Sequence, residues 1–192
     1  MIEIGSGFSS AAMLDTREAF PEIGTKFTFI EPYRQRLKSL IQDDDRRFCT
    51  IIEEFLQDVD ISHFTNLEEN DMVFIDSSHQ MKVGSEILYL FFKIMPRLKP
   101  GVLIHFHDVF WPFEYPQEWI EIGRAWNESY GLHAFLQYND SFEILFFNSY
   151  LGNVYKDIVK EKMPYGNDEA AARSEAGGNF YAGGSLWLRK KK

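Results

Sequence analysis

Met1-Ile2-Glu3-Ile4-Gly5-Ser6-Gly7-Phe8-Ser9-Ser10 is the stretch from which the fold is read. Ile2 and Ile4 alternate with the period of a half-buried strand, and the alternation then breaks into a turn containing Gly5 and Gly7. Glycine allows backbone angles, and a close approach to a ligand, that a Cβ forbids. Ala11, Ala12, Met13 and Leu14 continue as a helix-forming run, which Ser9 or Ser10 is placed to cap. A strand, a glycine turn and a helix N-terminus form a polar-ligand site in many α/β proteins. Gly5, Ser6, Gly7 and Ser9 are therefore the candidate floor of a nucleotide-type cofactor site. The strict dinucleotide pattern wants a third glycine, and Ser10 stands in its place.

Outward from this stretch, short apolar runs alternate with helical patterns. Residues 26–30 read as a second strand ending at Glu31. Pro32 opens a helix with Tyr33, Leu37, Leu40 and Ile41 at helical spacing. Residues 49–53 form a third strand, and residues 71–76 a fourth, a continuous apolar run closed by Asp76. A helix follows through Val83, Ile87, Leu90, Phe91, Ile94 and Met95, and residues 102–108 are the fifth strand. Residues 118–138 read as one long helix interrupted by Gly131, residues 142–147 as a sixth strand and residues 151–163 as another helix. Glu31, Asp76 and Asp108 then fall at the carboxyl ends of strands, the edge where open parallel sheets place their ligands. One domain over residues 1–192 is expected, with a flexible Gly- and Ala-rich loop at 164–184.

Glu3-x-Gly5-x-Gly7, followed by Glu31 at the end of the second strand, resembles the first motif and the ribose-binding acid of class I S-adenosylmethionine-dependent methyltransferases. The resemblance runs from Met1 to about Leu188. It implies an α/β, Rossmann-like seven-stranded sheet of order 3-2-1-4-5-7-6, with helices on both faces. Residues 185–189 would be the seventh strand, antiparallel between the fifth and sixth, where Leu186 and Leu188 find cover. The cofactor implied is S-adenosylmethionine, bound by Glu3, the glycine turn, Glu31 and Asp76. Asp58 matches the acid that reaches the adenine amino group; an ordinary turn aspartate is the other reading. For Glu31 the alternative is a carboxylate favouring the helix dipole beside Pro32.

Asp76-Ser77-Ser78-His79 with His107-Asp108 resembles a branch of O-methyltransferases that includes enzymes methylating macrolide sugars. By that resemblance Asp76 and Asp108 hold a divalent metal, with His107 in the place of a second acid, and His79 is the general base. Methyl transfer to a hydroxyl needs an oxygen that loses its proton as it attacks. A cation lowers the hydroxyl pKa, and an imidazole accepts the proton. Magnesium or manganese is the metal implied; the His107 imidazole in place of an acid either shifts preference towards manganese, iron or zinc or leaves the site without a metal. Trp111, Phe113 and Tyr115, in an aromatic loop after the fifth strand, are the candidate substrate contacts.

Composition narrows the classes. A net charge of -9 argues against nonspecific nucleic-acid binding, and a single cysteine, Cys49, forbids an intramolecular disulfide. No apolar run has the length of a membrane span, and the expectation is a cytoplasmic protein. The sequence begins inside its first strand, without the helices that precede that strand in related methyltransferases, so it is expected to be either a minimal form or a sequence lacking its natural N-terminus. The expected partner is a small-molecule substrate, a homo-oligomer is left open, and neither nucleic acid nor membrane is expected. Two other functions remain: a non-catalytic cofactor-binding protein, and a nicotinamide-dependent oxidoreductase. Against the oxidoreductase stand Glu3 before the glycines and the missing third glycine.

Overall fold

The computed structural model describes residues 1–163 and 183–192. Apart from Gly183 and Gly184, the expected loop at 164–184 lies outside the described residues. Seven strands, β1 (Ile2–Ile4), β2 (Phe27–Ile30), β3 (Cys49–Ile52), β4 (Met72–Ile75), β5 (Leu103–His107), β6 (Phe142–Phe147) and β7 (Ser185–Lys190), form one sheet of order β3-β2-β1-β4-β5-β7-β6. β1 to β5 pair in parallel, and β7 runs antiparallel between β5 and β6. Leu186 and Leu188 are fully buried there, the burial that made a strand the expected state of this segment.

The strand alternation sends side chains to two faces. Phe27 and Phe29 of β2 pack with Leu14 of α1 (Phe8–Ala19) and Leu37 of α2 (Gln35–Leu40). Ile2, Ile4, Val73, Ile75, Ile104 and Phe106 belong to a second, larger core. That core also takes Phe64 of α3 (Ser62–Thr65) and Ile87 of α4 (Glu86–Tyr89). α4 continues as a wider turn over Leu90–Ile94, which adds Leu90, Phe91 and Ile94. No helix among the described residues is long and apolar enough to cross a membrane.

Several helices differ from expectation. The long helix at 118–138 is two: α5 (Gln117–Glu121) and α6 (Glu128–Leu136). Gly123 takes φ +82 between them, and Ile122 is exposed rather than part of an apolar stripe. Gly131 does not interrupt α6; it lets the helix press on Met81, whose Cε would lie 2.3 Å from an added Cβ. The segment at 151–163 is likewise divided, into α7 (Asn148–Val154) and α8 (Lys156–Lys162), at Tyr155. Val83 stands fully exposed before α4, and the helix after β2 starts at Gln35, not Pro32. At Pro32 the chain turns first, because the Tyr33 N–H donates to Glu31 Oε1 at 2.7 Å.

Candidate active site

The carboxyl ends of β1, β2, β4 and β5 open into one cavity of about 1080 Å³. Gly5, Ser6, Gly7, Ser9, Glu31, Asp76, His79, His107 and Asp108 all line it. That volume lies at the upper end for small-molecule sites.

The floor is built from below. Glu3 projects to the sheet face opposite Ile2 and Ile4, is buried, and accepts hydrogen bonds from the Ser9 and Ser10 hydroxyls. Burial raises its pKa, with the serine hydroxyls pulling the other way. Glu3 is therefore a brace beneath the turn and does not line the cavity. Neither serine is the N-cap of α1. Gly7 is the N-cap, and its N–H donates to Ser10 Oγ at 2.9 Å. Above the floor, Glu31 Oε2 accepts the Ser6 N–H at 3.1 Å, which ties the glycine turn to the end of β2. The Ser6 hydroxyl is buried in the cavity wall and has no hydrogen-bond partner among the described residues.

Asp76, His79 and His107 converge on one point. Asp76 Oδ1 lies 3.4 Å from His79 Nε2 and 3.3 Å from His107 Nδ1. Asp108 Oδ1 is 3.4 Å from the same His107 nitrogen. The backbones of His79 and Asp108 are left-handed, at φ +56 and +57, a conformation uncommon for non-glycine residues that His and Asp tolerate better than most. Burial opposes charge on His79, but the Asp76 and Glu128 carboxylates outweigh it and raise the imidazole to about 9. His107 behaves alike: burial lowers it, and Asp108 and Asp76 raise it to about 10. For Asp76, burial acts upward but His107 and His79 hold the carboxyl well below its usual range. His105, by contrast, is pushed down to about 4 by burial and by the nearby His107, and stacks on Phe74 away from the cluster.

These shifts set a pH dependence. A histidine raised above its ordinary 6.5 contributes stability that is complete below 6.5 and lost as pH climbs through its folded value. For His79 and His107 that window runs from 6.5 to about 9 and 10. Metal-free protein is accordingly expected to lose several degrees of melting temperature between pH 7 and pH 10. His107→Gln should flatten the slope; a wild-type profile flat across that range would refute the assignment.

What fixes His79 was not foreseen. Glu128, the first residue of α6, is buried and places Oε2 2.8 Å from His79 Nδ1. The N–H groups of Asn127 and Glu128 both donate to the His79 carbonyl, at 3.0 and 3.2 Å. The Asn127 side chain pairs with the Met81 backbone, and the Trp126 ring lies 4.2 Å from the imidazole. A signal was present: Gly123 followed four residues later by Asn127 is a helix stop and a new start.

Other expected residues lie elsewhere. Asp58 is exposed and off the cavity, because the short turn Leu56–Asp58 presents Leu56 and Gln57 to the wall instead. Trp111, Phe113 and Tyr115 do not line the cavity either. Phe113 stacks on His133, the Tyr115 hydroxyl accepts the Ser129 N–H, and Trp111 packs on Phe147 and Tyr150. The aromatic rings at the cavity are Trp126 and the exposed Phe8, Tyr33 and Phe55.

Known proteins resemble this chain chiefly over its first five strands. The family described as "Methyltransferase domain" matches residues 2–109, more than half of the sequence and the part that builds β1 to β5. The chain belongs to this methyltransferase family. An uncharacterized protein of Archaeoglobus fulgidus is 38% identical over 73 residues, 36% of the methyltransferase chain and 31% of that protein. The match thus spans about a third of that relative's length. The crystal structure of a mutant 16S rRNA (adenine(1408)-N(1))-methyltransferase from Catenulisporales acidiphilia superposes with a TM-score of 0.44 at 16% identity. It covers 99% of the methyltransferase chain and 85% of its own. The segment carrying Trp126, Asn127 and Glu128 lies beyond the family-matched residues.

Proposed function

We propose that the chain transfers the methyl group of S-adenosylmethionine to an oxygen of a small polar acceptor, a sugar or similar hydroxyl compound. The observation that carries the reading is the sharing of one cavity by Glu31, the glycine turn and the Asp76–His79–His107 cluster. Glu31, held by backbone N–H groups at the end of β2, has the oxygen lone pairs to accept two ribose hydroxyls. The Ser6 hydroxyl in the cavity wall supplies a further polar contact.

For the acceptor, the cavity offers oxygen and nitrogen groups at the ends of β4 and β5. By resemblance His79 is the proton acceptor. The geometry favours a different division: the His79 imidazole is almost fully buried, with one nitrogen on Glu128 and the other facing Asp76. Asp108, which lines the same cavity and is less buried, is the better placed carboxylate to take a hydroxyl proton. Trp126 adds apolar surface to the cavity wall beside His79, which suits an acceptor with an apolar part. The resemblance also implies a divalent cation, which when bound would lower the pKa of a nearby hydroxyl. One carboxylate with two imidazoles fits a divalent ion, but not the all-oxygen set that magnesium prefers.

Calorimetric titration of the full chain with S-adenosylmethionine, S-adenosylhomocysteine and NAD tests the reading. Binding of both adenosyl ligands without NAD is expected. NAD binding in their place would establish the oxidoreductase alternative.

A further inference from the structure

We infer that Asp76, His79 and His107 form a transition-metal centre whose third ligand, His79, is held in place by Glu128 from outside the coordination shell. This goes beyond the resemblance, in which His79 is a base and Asp108 a ligand.

The argument begins with spacing. Two atoms each about 2.1 Å from one ion at the tetrahedral angle lie about 3.4 Å apart. His79 Nε2 and His107 Nδ1 stand 3.4 and 3.3 Å from Asp76 Oδ1, and one ligand atom from each of the three residues lies within 4.8 Å of the others. His107 Nδ1 is buried and makes no hydrogen bond among the described residues, although a carboxylate oxygen is close by. A nitrogen and an oxygen that face each other at this distance without a hydrogen bond are arranged as two ligands of one ion are.

The second observation concerns the remaining nitrogen of His79. Metal-bound histidines generally donate their other ring N–H to a carboxylate or carbonyl, which fixes the tautomer and orients the ring. Glu128 Oε2 sits 2.8 Å from His79 Nδ1 in a fully buried contact, which leaves Nε2 as the atom facing the cluster. The left-handed His79 backbone is gripped by the two N–H groups that open α6, so ring and backbone are both immobilised before any ion arrives. Rigidity of this kind is the mark of a preorganised site.

The donor set then selects the metal. Two imidazoles and one carboxylate with open positions suit manganese, iron, cobalt or zinc, whereas magnesium favours oxygen donors and retains its waters. Asp108 remains beside the centre as the carboxylate free to take a proton.

The test uses the metal ions alone, on the full chain freed of metal by chelation, with S-adenosylhomocysteine affinity and melting temperature as measures of folding. Calorimetry should show zinc and manganese binding at one site, at least 100-fold tighter than magnesium. His107→Gln and His79→Gln should each weaken zinc binding about 100-fold. Glu128→Gln, which touches no ion, should weaken it about 10- to 100-fold. Because His79→Gln or Glu128→Gln can disturb folding, pulsed electron paramagnetic resonance of the manganese-loaded wild type provides a measurement free of variants. Coupling to two imidazole nitrogens supports the centre. One or none, or magnesium binding as tightly as zinc, overturns it. Loss of the metal result with adenosyl binding intact would defeat this inference alone; loss of adenosyl binding in wild type would defeat the proposed function instead.

Discussion

Glu31→Ala is expected to weaken S-adenosylhomocysteine binding by about 100-fold or more. A hydrogen bond to a charged group contributes about 1.5–3 kcal/mol. Two of them, one to each ribose hydroxyl, give at least about 3 kcal/mol, and each 1.4 kcal/mol is tenfold in affinity. The Glu31 carboxylate is already oriented by the Ser6 and Tyr33 N–H groups, so little ordering cost offsets these bonds. Removing it also releases the Ser6 N–H and loosens the glycine turn, which adds to the loss. Glu31→Gln keeps the shape and one acceptor, and should fall between wild type and alanine. Asp58→Ala is the internal control: this exposed side chain lies off the cavity, and its removal should leave affinity unchanged. An alanine variant at position 31 within threefold of wild type, by calorimetry on protein of unchanged melting temperature, would sink the ribose role.

Gly5→Ala is expected to destabilise the fold by about 3 kcal/mol or more, or to abolish folding. Gly5 adopts φ +83, where an L side chain costs about 1–2 kcal/mol by itself. An added Cβ would also lie 1.8 Å from the Asp76 carbonyl oxygen and 2.7 Å from its carbon, both backbone atoms that no rotamer change can move. Relief would require β1 and β4 to separate. That would break the Asp76 N–H to Ile4 carbonyl bond of 2.9 Å at the centre of the sheet. A domain of this size loses about 2–4 °C of melting temperature per kcal/mol, so a fall of about 6–12 °C or more should be seen by calorimetry. A variant melting within about 2 °C of wild type would show that the turn can relax, and the tight approach of Gly5 to β4 would lose its structural importance.

The sheet was legible in advance because its signal is local. Runs such as those ending at Ile30 and Ile75 carry their strand character in their own side chains. The seventh strand followed from Leu186 and Leu188, which must be covered, combined with a resemblance that supplied the place. Glu31, Asp76 and Asp108 read as the acids of one sheet edge, with His79 and His107 added by the resemblance, and all five line one cavity. The helices after β5 were not legible. Trp119, Ile122, Ala125 and Trp126 suggested a continuous stripe, whereas the chain breaks at Gly123 and restarts at Glu128. The aromatic loop failed similarly. Trp111, Phe113 and Tyr115 have the composition of a substrate lid, but each finds its partner in α6, β6 or α7.

By itself the sequence determined the order of strands and turns, the glycine turn at Gly5 and Gly7, and the acids that close β2 and β4. Those features depend on periodicity and on backbone angles that single residues impose. Only the tertiary structure decided what each polar group does. Glu3 lies two residues from Gly5 yet braces the loop from beneath, because the strand sends alternate side chains to opposite faces. Glu128 lies 49 positions from His79 and meets it at 2.8 Å, because α6 folds back over the end of β4. Contact between residues so distant in the chain is set by packing, where burial decides which carboxylate faces which imidazole, and no local pattern encodes it.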